Sequence, residues 1–460
     1  MRVPPVKHVL LSTCILLCVA CTEDSFKKGI ETEEIPAAQT DLKTYENWIA
    51  NYKTDELDKV IEEELDNNSI IKSSTTETVN KRTREKVYVH YMPWFQSKEI
   101  NGFWGQHWTM TNQNPEMLDK DGKRQIASHY YPLIGPYSTI DRDLQQYHLL
   151  LMKLSGVDGV IFDWYGIRNV RDFNLIKEGM ESFLKELDKT KLEFAVMYED
   201  RVVNEQARIL TPIQVAQAKN DLNYIKQNYF SKKNYIKINN KELLFIFGPN
   251  FIDDSNDWTD ILSSLKKEYN ILSLWGAKNI IGTENSKGEF AWIDEKHLET
   301  LEGYYNYNAD FENDVIGGVS YPNFNDFYKE GGWRPANESE WILDGTNEDM
   351  FVDSYLESLK HPVDFIQIAT WNDFGEGTMI EPTEEFGYKY LEQLQKLTQV
   401  SYKNEDLKLA YYIYKLKKKF AKNKRMLRII NRAYRYAMKG RLFRSKLIVG
   451  AILWFYGDNL

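Results

Sequence analysis

The stretch FIQIATWNDFGEG, residues 365–377, joins an apolar run to an acidic run that contains glycine. Its first six residues have the composition of a buried strand. Asp373 and Glu376 follow directly, and Gly375 and Gly377 permit the sharp turns and close ligand approach that a site at a strand end requires. We interpret the stretch as a strand that delivers two carboxyl groups to a cleft.

Seven further strand-like runs precede this one and are separated by longer amphipathic segments. They are residues 87–90, 159–163, 194–198, 243–247, 271–275, 303–307 and 315–320. Alternating strands and helices favour a parallel sheet, and eight strands predict a closed (β/α)8 TIM barrel with insertions. An open doubly wound sheet is the alternative. It is disfavoured because the first strand–helix junction, YMPW at residues 91–94, lacks a glycine-rich phosphate turn.

Residues 1–20 have the layout of a secretion signal. Two basic residues precede an apolar run, residues 9–20, which is too short to span a membrane as a mature helix. All three cysteines, Cys14, Cys18 and Cys21, lie in or directly after this segment. The exported chain is therefore expected to contain no internal disulfide and no cysteine-based metal site.

The stretch LCVAC, residues 17–21, resembles the lipoprotein box of exported bacterial proteins, in which the last cysteine carries the lipid. The resemblance implies lipidation of Cys21, although leucine is usual at the position of Cys18. The acidic residues that follow are similar to the export signals of Bacteroidetes-type surface lipoproteins. We expect an outer membrane lipoprotein at the cell surface, and the alternatives are a periplasm-facing lipoprotein and an ordinary secreted protein.

Composition divides the remaining chain into three parts. Residues 21–84 are polar and rich in Ser and Thr, which predicts a tether with a helix around residues 42–65, and residues 85–400 carry the barrel pattern. Residues 401–460 contain 16 Lys and Arg against 3 Asp and Glu, a charge of +13 that leaves −23 on residues 1–400. We predict a basic helical extension that either packs on the acidic barrel or lies on an anionic membrane. Nucleic acid is not an expected partner of an exported lipoprotein.

The functional face of a parallel barrel is formed by the C-terminal ends of its strands. Polar and aromatic residues follow most of the predicted strands, among them His90, Tyr91, Trp94, Asp163, Trp164, Tyr198, Glu199, Asn250, Tyr307 and Asn372. Aromatic faces cover the C–H patches of a sugar ring, and carboxyl and amide groups bind its hydroxyls. The pattern predicts an oligo- or polysaccharide substrate, with Asp373 and Glu376 as the two carboxyl groups that glycosidic cleavage requires.

Other chemistries find less support in the sequence. The histidines His90, His107 and His129 lack the spacing of metal ligands, so we expect no metal and no cofactor. No Gly-x-Ser-x-Gly elbow is present, and a catalytic cysteine is excluded by the positions of the cysteines. Glu199 is either a substrate-binding or catalytic residue or a structural partner of Arg201.

Six motifs occur in the order seen in glycoside hydrolase family 99, the endo-α-mannosidases and endo-α-mannanases, which the chain resembles over about residues 86–395. They are YMPWF (91–95), GQHW (105–108), YYPLIGPYS (130–138), DWYG (163–166), YE (198–199) and NDFGEGTMIE (372–381). The resemblance implies a metal-independent glycoside hydrolase that cuts α-linked glycans of the mannan type.

The resemblance also implies roles for individual residues. Glu376 occupies the place of the family's general acid/base, and Asp373 the place of its second catalytic carboxylate. Glu199 matches a glutamate that binds the sugar near the scissile bond. The other substrate-binding residues that we expect are Tyr198, Trp164, Asn372, Tyr91, Trp94, His107 and Tyr307.

Asp373 departs from the family pattern, which has glutamate there. Aspartate reaches about 1.5 Å less far and leaves more room for a water, as the inverting geometry requires. The version WNDFGE is similar to glycoside hydrolase family 71, the α-1,3-glucanases, so an α-1,3-glucanase is one alternative. A non-catalytic glycan-binding lipoprotein is another, and a nucleotide-sugar transferase is a third that no diphosphate site supports. Linkage, endo or exo action, stereochemistry and oligomeric state stay open.

Overall fold

The computed structural model describes residues 84–203, 212–265, 269–311, 314–345 and 349–456. Eight parallel strands close into a barrel, which confirms the predicted TIM-barrel fold. They are β1 (Lys86–Tyr91), β2 (Gly159–Trp164), β3 (Glu193–Glu199), β5 (Lys241–Phe247), β6 (Asn270–Leu274), β7 (Gly288–Phe290), β8 (Val315–Ser320) and β9 (Phe365–Ile368). Pairing of β3 with β5 and of β9 with β1 closes the ring. The two-residue strand β4 (Lys237–Ile238) pairs antiparallel with β5 outside it.

Helices surround the barrel and extend it at the C-terminal side. Those of the barrel and its loops are α1 (Lys98–Asn101), α2 (Gln106–Thr109), α3 (Arg142–Ser155), α4 (Phe173–Leu187), α5 (Pro212–Asn228), α6 (Ser255–Ile261), α7 (Lys278–Ile281), α8 (Leu298–Asn308), α9 (Met350–Ser358) and α10 (Lys389–Leu397). The extension consists of α11 (Asn404–Lys419), α12 (Lys424–Met438) and α13 (Leu442–Tyr456). In the part of the chain that the structure describes, no helix combines the length and the apolar character needed to cross a membrane.

The barrel interior is filled by side chains, as a barrel of eight strands requires. His90 contacts the rings of Phe245 and Phe290, and its Nε2 atom lies 2.8 Å from Oε1 of Gln367. The Gln367 amide donates in turn to the carbonyl of Ala291. Burial lowers the pKa of His90 to about 3, so the ring is neutral and belongs to the packed core.

One of the eight predicted strands is wrong. Residues 303–307 lie in α8, and the strand at that point of the ring is β7. Tyr304 and Tyr305 have strand propensity, but burial of Leu301, Tyr304, Tyr305 and Asn308 follows helical spacing. The strand β7 escapes prediction because it is three residues long and has Glu289 at its centre.

The C-terminal extension packs against α3. Lys417 Nζ lies 3.3 Å from Asp143 Oδ1, and Lys418 forms an ion pair with Asp141, the N-cap of α3. This contact explains why α3 is buried on nearly all sides, unlike a barrel helix with a solvated face. Of the two predicted placements, the structure shows packing on the barrel. The predicted signal, Cys21 and the helix expected near residues 42–65 lie outside the described residues.

Candidate active site

The loop after β9 holds Asp373 and Glu376 at the C-terminal end of the barrel. The Thr370 amide donates to the Thr378 carbonyl at 2.8 Å, and this hydrogen bond closes the loop at its base. The Asp373 amide donates to Oγ1 of Thr370 at 2.8 Å, and the Glu376 amide donates to Oδ1 of Asp373 at 3.0 Å. The two carboxyl groups are therefore held by one short turn rather than by flexible chain.

Gly377 has the backbone conformation that the turn needs. Its φ is +69°, a left-handed value that glycine adopts without strain. A Cβ atom at this position would lie 2.7 Å from the carbonyl oxygen of Asn325 and 2.8 Å from the ring of Tyr130. The close approach lets the loop after β8 pack directly on the loop after β9.

The loop after β8 contributes a tyrosine that contacts Glu376. Amides of Asn325 and Phe327 donate to the carbonyls of Glu376 and Gly375, at 2.9 and 2.8 Å. This pairing places Tyr328 so that its hydroxyl donates to Oε1 of Glu376 at 2.9 Å. The loops of two neighbouring strands thus build one site.

A second acidic cluster lies at the ends of β2 and β3. Glu199 forms an ion pair with Arg201 and accepts a hydrogen bond from the Tyr165 hydroxyl at 3.2 Å. Arg201 also donates to the Tyr165 oxygen at 3.2 Å, and half of its side chain is exposed. Asp163 is buried beside them. Glu199 is thus an ion-pair partner of Arg201, and it lies at the C-terminal ends of the strands, where a substrate-binding residue is expected. Its role in substrate binding or catalysis stays a prediction.

The carboxyl groups of the two clusters influence one another. Burial raises the pKa of Asp373, and the charges of Asp326 and Glu199 add to the effect. Burial and the charge of Asp373 raise the pKa of Glu376. Burial and the charge of Glu199 raise the pKa of Asp163 well above its usual range. Several carboxyl groups in one low-dielectric space cannot all ionise together, so the site retains protons near neutral pH.

An aromatic wall continues from Tyr328 along the barrel rim. Trp333 packs against Tyr328 with ring centres 6.0 Å apart, and His107 lies edge-on to Trp333 at 5.6 Å. Trp94 stacks on His107 at 4.1 Å, and His107 Nε2 lies 3.1 Å from Asp172 Oδ2. The structure thus brings Trp94 and His107, both expected to bind substrate, to the same rim as Glu376. Their role stays a prediction.

Two other expected substrate-binding residues lie in a sealed network. The Asn372 side chain accepts from the Met92 amide at 2.8 Å and donates to the Met92 carbonyl and the Tyr137 hydroxyl. The Tyr91 hydroxyl lies 3.1 Å from Nδ1 of His148. Both side chains are fully buried and their polar atoms are bonded within the protein, so the structure does not bring them to the surface of the site, contrary to expectation. They join the loops after β1 and β9 instead.

Trp164 and Tyr198 point away from the barrel mouth, which is the end of the barrel formed by the C-terminal ends of the strands and the loops that follow them. Trp164 packs parallel to Tyr224 of α5 at 6.2 Å, and the Tyr198 hydroxyl donates to Asp221 at 3.1 Å. Neighbouring residues of a strand face opposite sides, so Glu199 can face the site only if Tyr198 faces the helices. The expectation that both Trp164 and Tyr198 line the cleft does not hold.

Tyr307 is not at the mouth either. It lies on the outer surface of α8, about half exposed, with its ring 5.3 Å from that of Phe311. Its expected role depended on the strand predicted at residues 303–307. Because these residues form a helix, Tyr307 lies on the outside of the barrel and not beside the carboxyl groups.

Sequence reasoning missed Tyr328, Asp326 and Trp333. All three lie in the loop after β8, and residues 315–320 were correctly predicted as that strand. The available signal was the polar and aromatic run YPNFNDFY at residues 321–328, which follows the strand directly. Among the described residues, no group of three His, Asp or Glu side chains is arranged to hold a metal ion.

Comparison with known proteins supports the fold. No family model matches the chain, and no curated protein matches it. Two solved structures of the GH99 endo-α-mannosidase from Bacteroides thetaiotaomicron are similar to it in three dimensions. One, in complex with bis-tris propane, has a TM-score of 0.53 at 15% identity and covers 71% of this chain and 98% of its own. The other has a TM-score of 0.54 at 17% identity, with 69% and 96% covered. At this identity the likeness shows the barrel fold.

Proposed function

We propose that the protein is a glycoside hydrolase that cleaves α-linked glycans. The observation that supports this best is the pair Asp373 and Glu376, two carboxyl groups with unequal surroundings on one turn at the barrel mouth. Glycosidic cleavage requires one carboxyl group that donates a proton and one that is ionised. Burial and the charge of Asp373 raise the pKa of Glu376 to about 8, so the pair would hold a proton on one group beside an ionised partner near neutral pH.

The hydrogen bonds support a different role for each of the two carboxyl groups. Asp373 accepts from the backbone amides of Glu376 and Gly375, which stabilise its carboxylate form. Its charge then raises the pKa of Glu376, which keeps the proton. We assign Glu376 as the general acid and Asp373 as the base or nucleophile. Arg201, Glu199 and Trp333 surround the pair and would bind the sugar hydroxyls and ring faces.

For the substrate class, we propose α-mannosides or mannose-containing chains. The motifs shared with glycoside hydrolase family 99 support this choice, and so does the likeness to the two GH99 endo-α-mannosidase structures. Asp373 in place of glutamate keeps α-1,3-glucan as the second substrate to test. Proton NMR of the first product would decide between retention and inversion at the anomeric carbon.

The test is hydrolysis of a panel of α-mannans and α-1,3-glucans by the purified protein and by Glu376→Gln. We expect released reducing ends from the parent and at least about a 100-fold slower rate from the variant. Glu299→Gln, on the exposed surface of α8, is the matched control and should keep full activity. Turnover that survives in Glu376→Gln would contradict the assignment. Oligosaccharide binding without cleavage by the parent would replace the hydrolase with a glycan-binding protein.

We also propose that the chain is a lipoprotein anchored at Cys21 on the outer membrane, facing the exterior. The box at residues 17–21 and the acidic residues after it support this. Cys21→Ala should abolish incorporation of labelled fatty acid, while Cys18→Ala should leave it intact. Digestion of surface protein on intact cells would separate outward-facing from periplasm-facing anchoring.

A further inference from the structure

The C-terminal extension carries a cationic and aromatic surface that packing on the barrel does not use. Between residues 407 and 457 the chain holds fifteen Lys and Arg and no Asp or Glu. At the end of α13, Trp454, Phe455 and Tyr456 are 60%, 47% and 51% exposed. Aromatic side chains of this size are seldom left open in a row on a soluble surface.

These aromatic residues lie beside exposed cations of the turn between α11 and α12. The ring of Tyr456 is 5.5 Å from that of Phe420, which ends α11. Lys422 lies in this turn and Lys424 begins α12, and both are exposed. We call this surface the basic aromatic tip, and it comprises Phe420, Lys422, Lys424, Trp454, Phe455 and Tyr456.

The tip lies at the mouth end of the barrel. Asp141 begins α3 at the mouth, because α3 follows the loop that leaves the C-terminal end of β1. Lys418, near the end of α11, pairs with Asp141, whereas Tyr402, just before α11, accepts from Lys153 at the opposite end of α3 at 2.7 Å. The helix α11 therefore runs from the base of the barrel to the mouth and delivers the tip there.

We propose that the basic aromatic tip binds an anionic lipid surface and turns the barrel mouth toward it. Trp and Tyr favour the interface between water and lipid, where their rings are half buried and their polar atoms stay hydrated. Lys and Arg beside them are attracted to anionic headgroups. Lys417, Lys418 and Lys446 are paired with acidic residues, but the sequence places no Asp or Glu between residues 407 and 457, where the cations of the tip lie.

A consequence follows for the substrate and depends on the proposed function. A mouth that faces a lipid surface favours glycans attached to that surface over free chains in solution. Lipid binding itself does not depend on catalysis. Failure of the two proposals can therefore be told apart, because vesicle binding is measured without any glycan.

The first experiment is flotation of the protein with vesicles. The chain from residue 22 onward is used, because it retains every described element and lacks the predicted secretion signal and Cys21. We expect it to bind vesicles of phosphatidylglycerol and phosphatidylethanolamine more tightly than phosphatidylcholine. The variant Trp454→Ser/Phe455→Ser/Tyr456→Ser should bind the anionic vesicles at least about tenfold more weakly.

The matched control replaces three exposed apolar residues of the barrel, in the variant Tyr307→Ser/Leu356→Ser/Leu359→Ser. It should bind vesicles as the parent does. Equal binding by the parent and the tip variant overturns the proposal. So does light scattering that shows a dimer which the tip variant abolishes, because the tip would then be an interface between copies of this chain.

The second experiment tests the orientation. The chain from residue 22 has no cysteine, so a single introduced cysteine accepts one environment-sensitive fluorophore. The substitutions are Lys120→Cys and Lys191→Cys, both at exposed positions. Lys120 lies in the loop after β1, at the mouth, and Lys191 directly precedes β3, at the opposite end of the barrel. On anionic vesicles we expect a blue shift from the label at 120 and none from the label at 191. Any other pattern refutes the mouth-down orientation.

Discussion

Two pairs of polar residues within residues 372–381 have opposite fates. Asp373 and Glu376 lie at the C-terminal end of the barrel, where Asp373 is buried and Glu376 is partly exposed and accepts a hydrogen bond from the Tyr328 hydroxyl. Asn372 and Glu381 are sealed, and Glu381 accepts from the Tyr137 hydroxyl at 2.7 Å and lies 3.1 Å from His148 Nε2. Residues of similar chemistry, a few positions apart, thus serve the cleft or the scaffold according to their partners.

Saturation of hydrogen bonds distinguishes Asn372, a structural polar residue, from Glu376, a candidate catalytic one. Asn372 uses its acceptor and both donor hydrogens within the protein, so nothing remains for a ligand. Glu376 has one oxygen bound to the Tyr328 hydroxyl, and no described residue forms a hydrogen bond with its other oxygen. For Asn372 and Glu376, the saturated side chain is therefore interpreted as structural, and the partly exposed, unsaturated one as the candidate catalytic group.

The sharpest way to test the comparison is to neutralise one glutamate of each pair. Glu376→Gln should reduce kcat by at least about 100-fold with little change in melting temperature. Glu381→Gln should lower the free energy of unfolding by about 2–4 kcal/mol, because a buried carboxyl group with His148 and Tyr137 as partners is lost. Hydrolysis rates and thermal melts of both variants check this. The reverse pattern would exchange the two roles.

A smaller effect is expected from the tyrosine that touches Glu376. Its hydroxyl stabilises the carboxylate, so Tyr328→Phe should raise the pKa of Glu376 further. The alkaline limb of the kcat profile should then move to higher pH, with kcat roughly tenfold lower at its optimum. The pH profile is the measurement, and Tyr307→Phe on α8 is the control. A limb that does not move would mean that Glu376 is not the acid.

Asp373 and Glu376 should also lower the free energy of unfolding in alkaline solution. Both folded-state pKa values are raised, so the folded protein is stable below the unfolded pKa values and loses stability as pH rises through the folded ones. Asp373→Asn/Glu376→Gln carries no such charges. Its melting temperature should exceed that of the parent at pH 8, by about 2–4 °C for each kcal/mol of unfolding free energy gained. At about pH 4 the two melting temperatures should be equal. Thermal melts across this range decide the point.

The smallest effect is expected from the residues on the outer face of β2 and β3. Tyr198→Phe removes the hydrogen bond to Asp221 and should cost about 1 kcal/mol of stability. It should leave KM unchanged, because the side chain does not face the mouth. Denaturant unfolding and steady-state kinetics check both parts. A raised KM with unchanged stability would return Tyr198 to the cleft.

The sequence predicted the barrel and seven of its eight strands from local patterns. Apolar runs of strand length and the spacing between them are properties of adjacent residues, so they can be seen without coordinates. The strand β7 was missed because three residues around Glu289 give too short a signal. The aromatic run at 303–307 was wrongly predicted as a strand because its residues have strand propensity. In the structure the run is helical, and its buried residues follow helical spacing.

Local sequence patterns were enough to predict the barrel fold and to place Asp373 and Glu376 directly after the last strand. The tertiary structure decided which side chains share their space. It placed Tyr328 on Glu376, paired Arg201 with Glu199, and turned Trp164 and Tyr198 toward the helices. The positions of strands along the chain follow from local patterns of adjacent residues. The contacts of a side chain depend instead on loops far apart in the chain and on which face of each strand points into the barrel.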